Sequence, residues 1–139
     1  MPAVTNPAET AVFELNRAFY AAFTERDVDA METIWARDHA AVCVHPGWGP
    51  LHGRDAVMAS WRAILGSPEA PRVSCSDAVV AMIGRDTALV TCIEHVGDSE
   101  LAATNVFVRE GGDWRLSHHQ AGLMATRRAS RRPPTSALN

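Results

Sequence analysis

The sequence predicts an α+β fold in which helices cover one face of a strongly curved antiparallel sheet. In the first half of the chain, apolar residues recur at helical spacing. In the second half, β-rich runs are separated by short Gly- and Asp-containing sequences typical of hairpin turns. The predicted helices cover 7–25, 28–36 and 54–65, and the predicted strands cover 40–45, 72–83, 87–96, 101–109 and 114–121. Because three successive connections have hairpin chemistry, the last four strands should form a meander.

Capping residues support each predicted helix. Asn6 is placed to cap the first helix, with Pro7 at the first helical position and Glu9 at the capping-box position. Asp27 is placed to cap the second helix, and Gly66 to end the third. The aromatic residues of the first helix predict that it covers the sheet.

A Gly/Pro-rich loop follows the first predicted strand and carries unusually large side chains. Pro46 ends the strand directly after His45, and Gly53 precedes the next helix. Trp48 and His52 lie between them. Loops of this composition rarely hold such side chains unless they line a site. We interpret this loop as the mouth of a pocket.

Composition excludes several classes of protein. The 139 residues suit one domain with ordinary globular composition. No apolar run approaches the ~20 residues of a membrane span, and the N-terminus lacks the pattern of a signal peptide, which predicts the cytoplasm. Residues 1–124 carry nine arginines against sixteen acidic residues, so nucleic-acid binding is not expected.

The end of the chain differs from the predicted domain, which covers residues 1–124. Residues 125–139 hold four arginines and almost no apolar residues, which predicts a basic tail that can be removed without loss of folding. The three cysteines, Cys43, Cys75 and Cys92, lie in apolar runs without a CxxC spacing. They are interpreted as buried, reduced thiols.

Several short motifs stand out by their order and spacing: the end of the first helix at 19–27, the sequence 45–48, Gly53 with Trp61, the strand 103–107, and 112–119 with its two histidines. Together they resemble a SnoaL-like domain, a branch of the nuclear transport factor 2-like superfamily. The resemblance implies a cone-shaped, cystatin-like fold whose sheet wraps the first helix around a deep pocket. It also implies a homodimer formed through the outer face of the sheet. The superfamily includes polyketide cyclases, ketosteroid isomerase and dehydratases.

The ketosteroid isomerase constellation is largely missing. The resemblance places His45 where those enzymes have a catalytic aspartate before a proline, and Asn105 where they have a second acidic donor. Phe19 stands where they have the oxyanion tyrosine, while Tyr20 is one residue away, about a 100° rotation on a helix. Isomerase activity is therefore not inferred.

The residues still suggest a polar site. The predicted catalytic residues are His45 as a general base, Asn105 as a donor to a developing oxyanion, and Glu94, whose carboxyl group is either paired or raised in pKa. Alternatively, Asn105 bonds a neighbouring strand and Glu94 emerges into solvent. The predicted ligand-binding residues are Phe19, Trp48, His52, Trp61, Phe107 and His118.

Adjacent histidines on a regular strand point to opposite faces. His118 shares the parity of Trp114 and Leu116, and so it is preferred over His119 as the inward residue. The histidines and Glu94 show no tight ligand spacing, so no metal and no cofactor are expected.

These observations leave three functions open. The first is a small-molecule-binding domain with a deep, mostly apolar cavity. The second is a cofactor-independent cyclase, isomerase or lyase with His45 as base. The third is a non-catalytic association domain that dimerises. Fold alone does not choose among them.

Overall fold

The computed structural model describes residues 6–125, which form three helices and one six-stranded sheet. The α+β prediction is confirmed. Helix α1 spans Pro7–Glu25, α2 spans Val28–Ile34 and α3 spans Arg54–Gly66. The strands are β1 (Val42–Val44), β2 (Leu51–His52), β3 (Ser74–Met82), β4 (Thr87–Val96), β5 (Ser99–Glu110) and β6 (Asp113–Leu123).

The helix ends follow the capping chemistry of the sequence. The Asn6 side chain accepts a hydrogen bond from the Ala8 backbone N–H, and Asp27 accepts one from Ala30. Helix α2 ends two residues earlier than predicted. Trp35 is already extended and bridges to Leu116 of β6, because the chain there leaves the helix to run along the sheet.

The sheet has the order β2-β1-β6-β5-β4-β3. Strands β3 to β6 form the predicted antiparallel meander, and β1 pairs with β6 in parallel. Strand β2 was not predicted, since two residues after a proline carry no readable periodicity. It closes the loop after β1 by pairing Val42 with His52 and Cys43 with Leu51.

Two β-bulges change which residues face the helices. In β6, Val106 pairs with His118 while Phe107 pairs with Leu116, so Ser117 is an extra residue. In β3, the register shifts between Ser76 and Val79, where Asp77 has φ +58°. An extra residue reverses the alternation of faces beyond it, because side chains alternate with period two.

The core lies between α1, α3 and the inner face of the sheet. Its largest fully buried side chains include Trp35, Trp61, Phe19 and Phe107. Helix α1 packs on α2, β3, β4 and β6. Within residues 6–125, no helix is both long and apolar enough to cross a bilayer. The predicted tail falls almost wholly outside the described residues.

Candidate functional site

A pocket of about 370 Å³ opens between the β1–β2 loop, the α1 and α3 ends and the sheet. Most of its wall is apolar: Phe23, Pro46, Trp48, Ile64, Pro71, Val73, Val96, Leu101 and Leu123. Three polar side chains at the wall are almost fully buried, namely His45, Glu94 and His119. This is an apolar pocket with a few convergent polar groups, the usual character of small-ligand sites.

Glu94 of β4 reaches the pocket with only 3% of its surface exposed. The Tyr20 hydroxyl of α1 donates to Glu94 Oε2 over 2.7 Å. Burial raises the pKa of Glu94, although the bond from Tyr20 acts in the opposite direction. Burial, followed by the nearby Glu94, raises the pKa of Tyr20, so the phenol keeps its proton.

His119 of β6 is fixed by Asn105 of β5. The distance from His119 Nδ1 to Asn105 Oδ1 is 2.6 Å, and an amide oxygen only accepts, so Nδ1 carries the proton. The Asn105 amide nitrogen donates to Asn16 Oδ1 over 2.8 Å and to Tyr20 over 3.3 Å, which orients the amide. A neutral His119 therefore presents an unprotonated Nε2.

The Nε2 atom of His119 lies 3.7 Å from Glu94 Oε2. That separation is too long for a hydrogen bond. Burial lowers the pKa of His119 to about 3, and the nearby His45 and His118 act in the same direction. Burial favours the uncharged form of both groups, and this opposes an ion pair between them.

His45 has a different environment. Its Nε2 lies 2.9 Å from Ser60 Oγ, and the Ser60 hydroxyl donates to the Val57 carbonyl over 2.7 Å. Since that bond uses the hydroxyl proton, His45 donates from Nε2 to Ser60. Its ring packs edge-on against Trp48 and Trp61, each with its centroid 4.8 Å away. Burial lowers the pKa of His45 to about 4.

The other predicted residues are placed as follows. Asn105 lies behind the pocket wall, one hydrogen bond from His119. Phe19, Trp61 and Phe107 are fully buried core residues that do not border the pocket. Trp48 lies at the rim with 48% exposure. As ligand contacts, all of these residues remain predictions.

Two placements differ from the sequence analysis. His52 is exposed on β2 and lies away from the pocket, because pairing with Val42 turns it outward. The preference for His118 is corrected: His119 faces inward, while His118 is half-buried on the other face. The bulge at Ser117 is the reason, since it reverses the parity set by Trp114 and Leu116.

Sequence reasoning missed Asn16, Tyr20, Ser60 and His119 as members of this site. Asn16 and Tyr20 were detectable in principle, because they lie four residues apart on the buried stripe of α1 that also holds Val12. Ser60 likewise lies on the apolar stripe of α3. Across residues 6–125, no group of three or more metal-ligating side chains is assembled.

Comparison with known proteins identifies the family. A model described as "SnoaL-like domain" matches residues 12–126. The chain is 32% identical to a candidate dehydratase of the NTF2-like family from Streptomyces avermitilis, with TM-score 0.76, covering 86% of this chain and 97% of that one. This chain therefore belongs to the SnoaL-like domain family.

Two further similarities lie in different functional classes. A candidate calcium/calmodulin-dependent protein kinase type II association domain from Thiobacillus denitrificans is 34% identical, with TM-score 0.69, covering 90% of this chain and all of that one. F-box protein SKIP8 of Arabidopsis thaliana is 25% identical over 116 residues, 82% of this chain. The chain spans about half the length of that protein.

Proposed function

We propose that this domain binds a small, uncharged, mostly apolar molecule with its polar group directed at Glu94 and His119. The observation that carries the proposal is the apolar-walled pocket that ends on Glu94 and His119, two groups whose burial favours the uncharged form. Together they offer one donor and one acceptor, which suits a carbonyl or hydroxyl group. No arginine is among the described residues around the pocket, so an anionic ligand would lack a counter-ion.

Fluorescence titration tests the proposal with two dyes, neutral Nile red and anionic anilinonaphthalene sulfonate. We expect Nile red to bind about tenfold more tightly than the anionic dye. The variant Leu123→Arg places a charge at the pocket rim and should abolish Nile red binding. Its matched control is Ile83→Arg, an exposed apolar position outside the pocket. Equal loss in both variants, or preference for the anionic dye, contradicts the proposal.

The second function is proton-transfer catalysis in the same pocket, with His119 rather than His45 as the base. Nε2 of His119 is unprotonated beside the Glu94 carboxyl group, whereas Nε2 of His45 is used as a donor to Ser60. A base and an acid at one site suit the loss of water from a β-hydroxyketone, with His119 taking the α-proton and Glu94 protonating the leaving hydroxyl. The similarity to a candidate dehydratase supports this assignment.

A β-hydroxyketone that yields an absorbing enone tests this catalytic function. We expect His119→Asn to lower turnover by about 10²–10⁴-fold, and His45→Asn to act mainly on substrate affinity. If His45→Asn abolishes turnover while His119→Asn retains it, the base is His45.

The third function, association, concerns the outer face of the sheet. Leu89, Ile93 and Val106 lie half-buried on the side opposite to the helices. Val80 of β3 packs against the core, because the β3 bulge turns it to the inner face. We propose that this face joins two copies of the chain in a homodimer, supported by the similarity to a candidate association domain.

A further inference from the structure

A second pocket reaches the buried polar network from the opposite side. It has a volume of about 290 Å³ and lies between α1 and the bulged part of β3. Asn16, Tyr20 and Cys75 line it. Tyr20 and Asn16 belong to the same hydrogen-bonded network that holds Glu94 and His119. Tyr20 therefore lines the second pocket and also donates a hydrogen bond to Glu94 of the proposed ligand site.

Cys75 lines this second pocket, and Cys92 lies diagonally opposite it on the neighbouring strand. Cys75 of β3 pairs in register with Glu94 of β4, and Cys92 lies two residues before Glu94, so both sulfurs share the inner face. Cys92 Sγ lies 3.3 Å from the Tyr20 hydroxyl, and Cys75 Sγ lies 3.9 Å from Asn16 Nδ2. Each thiol shifts the pKa of the other, raising that of Cys75 and lowering that of Cys92.

Cys43 provides an internal contrast. It is also buried, but its polar neighbour is His45, whose Nε2 lies 3.6 Å from the Cys43 sulfur. Cys43 lies on β1, separated from β4 by two strands. A reaction that depends on two adjacent sulfurs should involve Cys75 and Cys92 and leave Cys43 unchanged.

We propose that Cys75 and Cys92 form a disulfide when the protein meets a hydroperoxide, and that this bond changes the ligand pocket through Tyr20. Formation of the disulfide is independent of the proposed function, whereas its effect on ligand binding rests on that function. In the reaction one thiol takes an oxygen atom from hydrogen peroxide to form a sulfenic acid, which releases one water. The other thiol then displaces the sulfenic oxygen as a second water, and the Sγ–Sγ bond forms.

Formation of the Cys75–Cys92 disulfide requires a small movement of strand β3. Diagonal residues on paired strands lie about 7–8 Å apart between Cα atoms, whereas a disulfide spans about 4.4–6.8 Å. Strand β3 must therefore approach β4 slightly at this point. It is an edge strand, so it is held by pairing on one side only, and its bulge begins after Ser76, the residue next to Cys75.

The bond would reach the ligand site through the Tyr20 hydroxyl. In the reduced protein this hydroxyl contacts both Cys92 Sγ and Glu94 Oε2. Drawing the Cys92 sulfur toward Cys75 removes one partner of Tyr20 and shifts the donor that fixes the Glu94 carboxyl group. We therefore expect the oxidised protein to bind a pocket ligand more weakly.

Peptide mapping of the full-length protein tests the bond directly. Trypsin cleaves after Arg72, Arg85 and Arg109, which places Cys75 and Cys92 in separate peptides, 73–85 and 86–109. After treatment with hydrogen peroxide and blocking of free thiols, these two peptides should appear linked, with the loss of two hydrogen atoms. Three free thiols after treatment, or a link that includes Cys43, overturns the proposal.

Variants and a binding measurement test the coupling. Cys43→Ala should still form the linked peptide, while Cys75→Ala should not. Peroxide should weaken Nile red binding by about threefold or more in the wild type and in Cys43→Ala, with no change in Cys75→Ala. A linked peptide with unchanged Nile red affinity contradicts the coupling to the pocket. If Nile red does not bind the reduced protein, the proposed function fails while the linked peptide still tests the disulfide.

Discussion

At the scale of residues, burial sets the charge of each polar group at the pocket. His45 and His119 have pKa values lowered to about 4 and about 3, and burial is the main cause of both shifts. In an unfolded chain the pKa of histidine is about 6.5. Between these values the unfolded chain binds protons that the folded chain does not. Each buried histidine therefore lowers stability as the pH falls below about 6.5.

This linkage gives a prediction for His119. The wild type should lose stability relative to His119→Asn as the pH falls from 6.5 toward 4, with a limiting slope of about 1.4 kcal/mol per pH unit. The raised pKa of Glu94 acts in the opposite direction in both proteins, so the difference between them isolates the histidine. Urea unfolding at several pH values measures it. A difference that is constant with pH would show that folding does not lower the pKa of His119.

A second prediction concerns Ser60. The variant Ser60→Ala removes the acceptor of the buried His45 N–H and should lower the free energy of unfolding by about 1–3 kcal/mol. Ser117→Ala, which removes a partly exposed bond to the Ala40 carbonyl, is the comparison. Equal effects of the two changes in urea unfolding would mean that His45 is satisfied without Ser60.

At the scale of elements, the end of β5 holds the segment that enters β1. The Glu110 carboxylate accepts backbone N–H bonds from Arg37, Asp38 and His39, and a bond from the His39 ring. Burial acts to raise the pKa of Glu110, but these four donors outweigh it and lower the pKa overall. Its stabilising effect should be present above about pH 4.3 and lost as the pH falls through the lowered pKa.

The variant Glu110→Ala tests this connection. It leaves three backbone donors without their acceptor and should destabilise the fold by about 1–3 kcal/mol at neutral pH, measured by urea unfolding. Asp113→Ala is the matched control, since that carboxylate is mostly exposed and its contact with Arg115 is 3.7 Å. If the two variants are equally stable, Glu110 does not hold the segment.

The helices and strands were largely predictable from the sequence, but the β-bulge in β6 was not. Capping at Asn6 and Asp27, helical periodicity and hairpin turns predicted α1, α2, α3 and the meander within a few residues. They did not predict the bulge at Ser117, because a bulge depends on how two strands pair and not on the alternation within one. Because of that single extra residue, His119 faces inward, whereas the alternation along the strand predicted His118.

At the scale of the whole molecule, we propose separate roles for the two faces of the sheet. The inner face holds the core, the pocket and the polar network, and the outer face is proposed to pair with a second copy. Sedimentation velocity at micromolar concentration should show a dimer. Ile93→Glu should convert it to a monomer, whereas Ile83→Glu, at an exposed position after β3, should not. A monomeric wild type would contradict the dimer.

We propose that His119 and Glu94, on the helix-covered face of the sheet, complete the ligand pocket. Nile red titration of His119→Asn and His118→Asn tests it most directly, because the two variants make the same chemical change on adjacent residues of opposite faces. We predict that His119→Asn weakens binding by about fivefold or more and that His118→Asn leaves it within about twofold. Weaker binding in His118→Asn with no change in His119→Asn would contradict this account of the site.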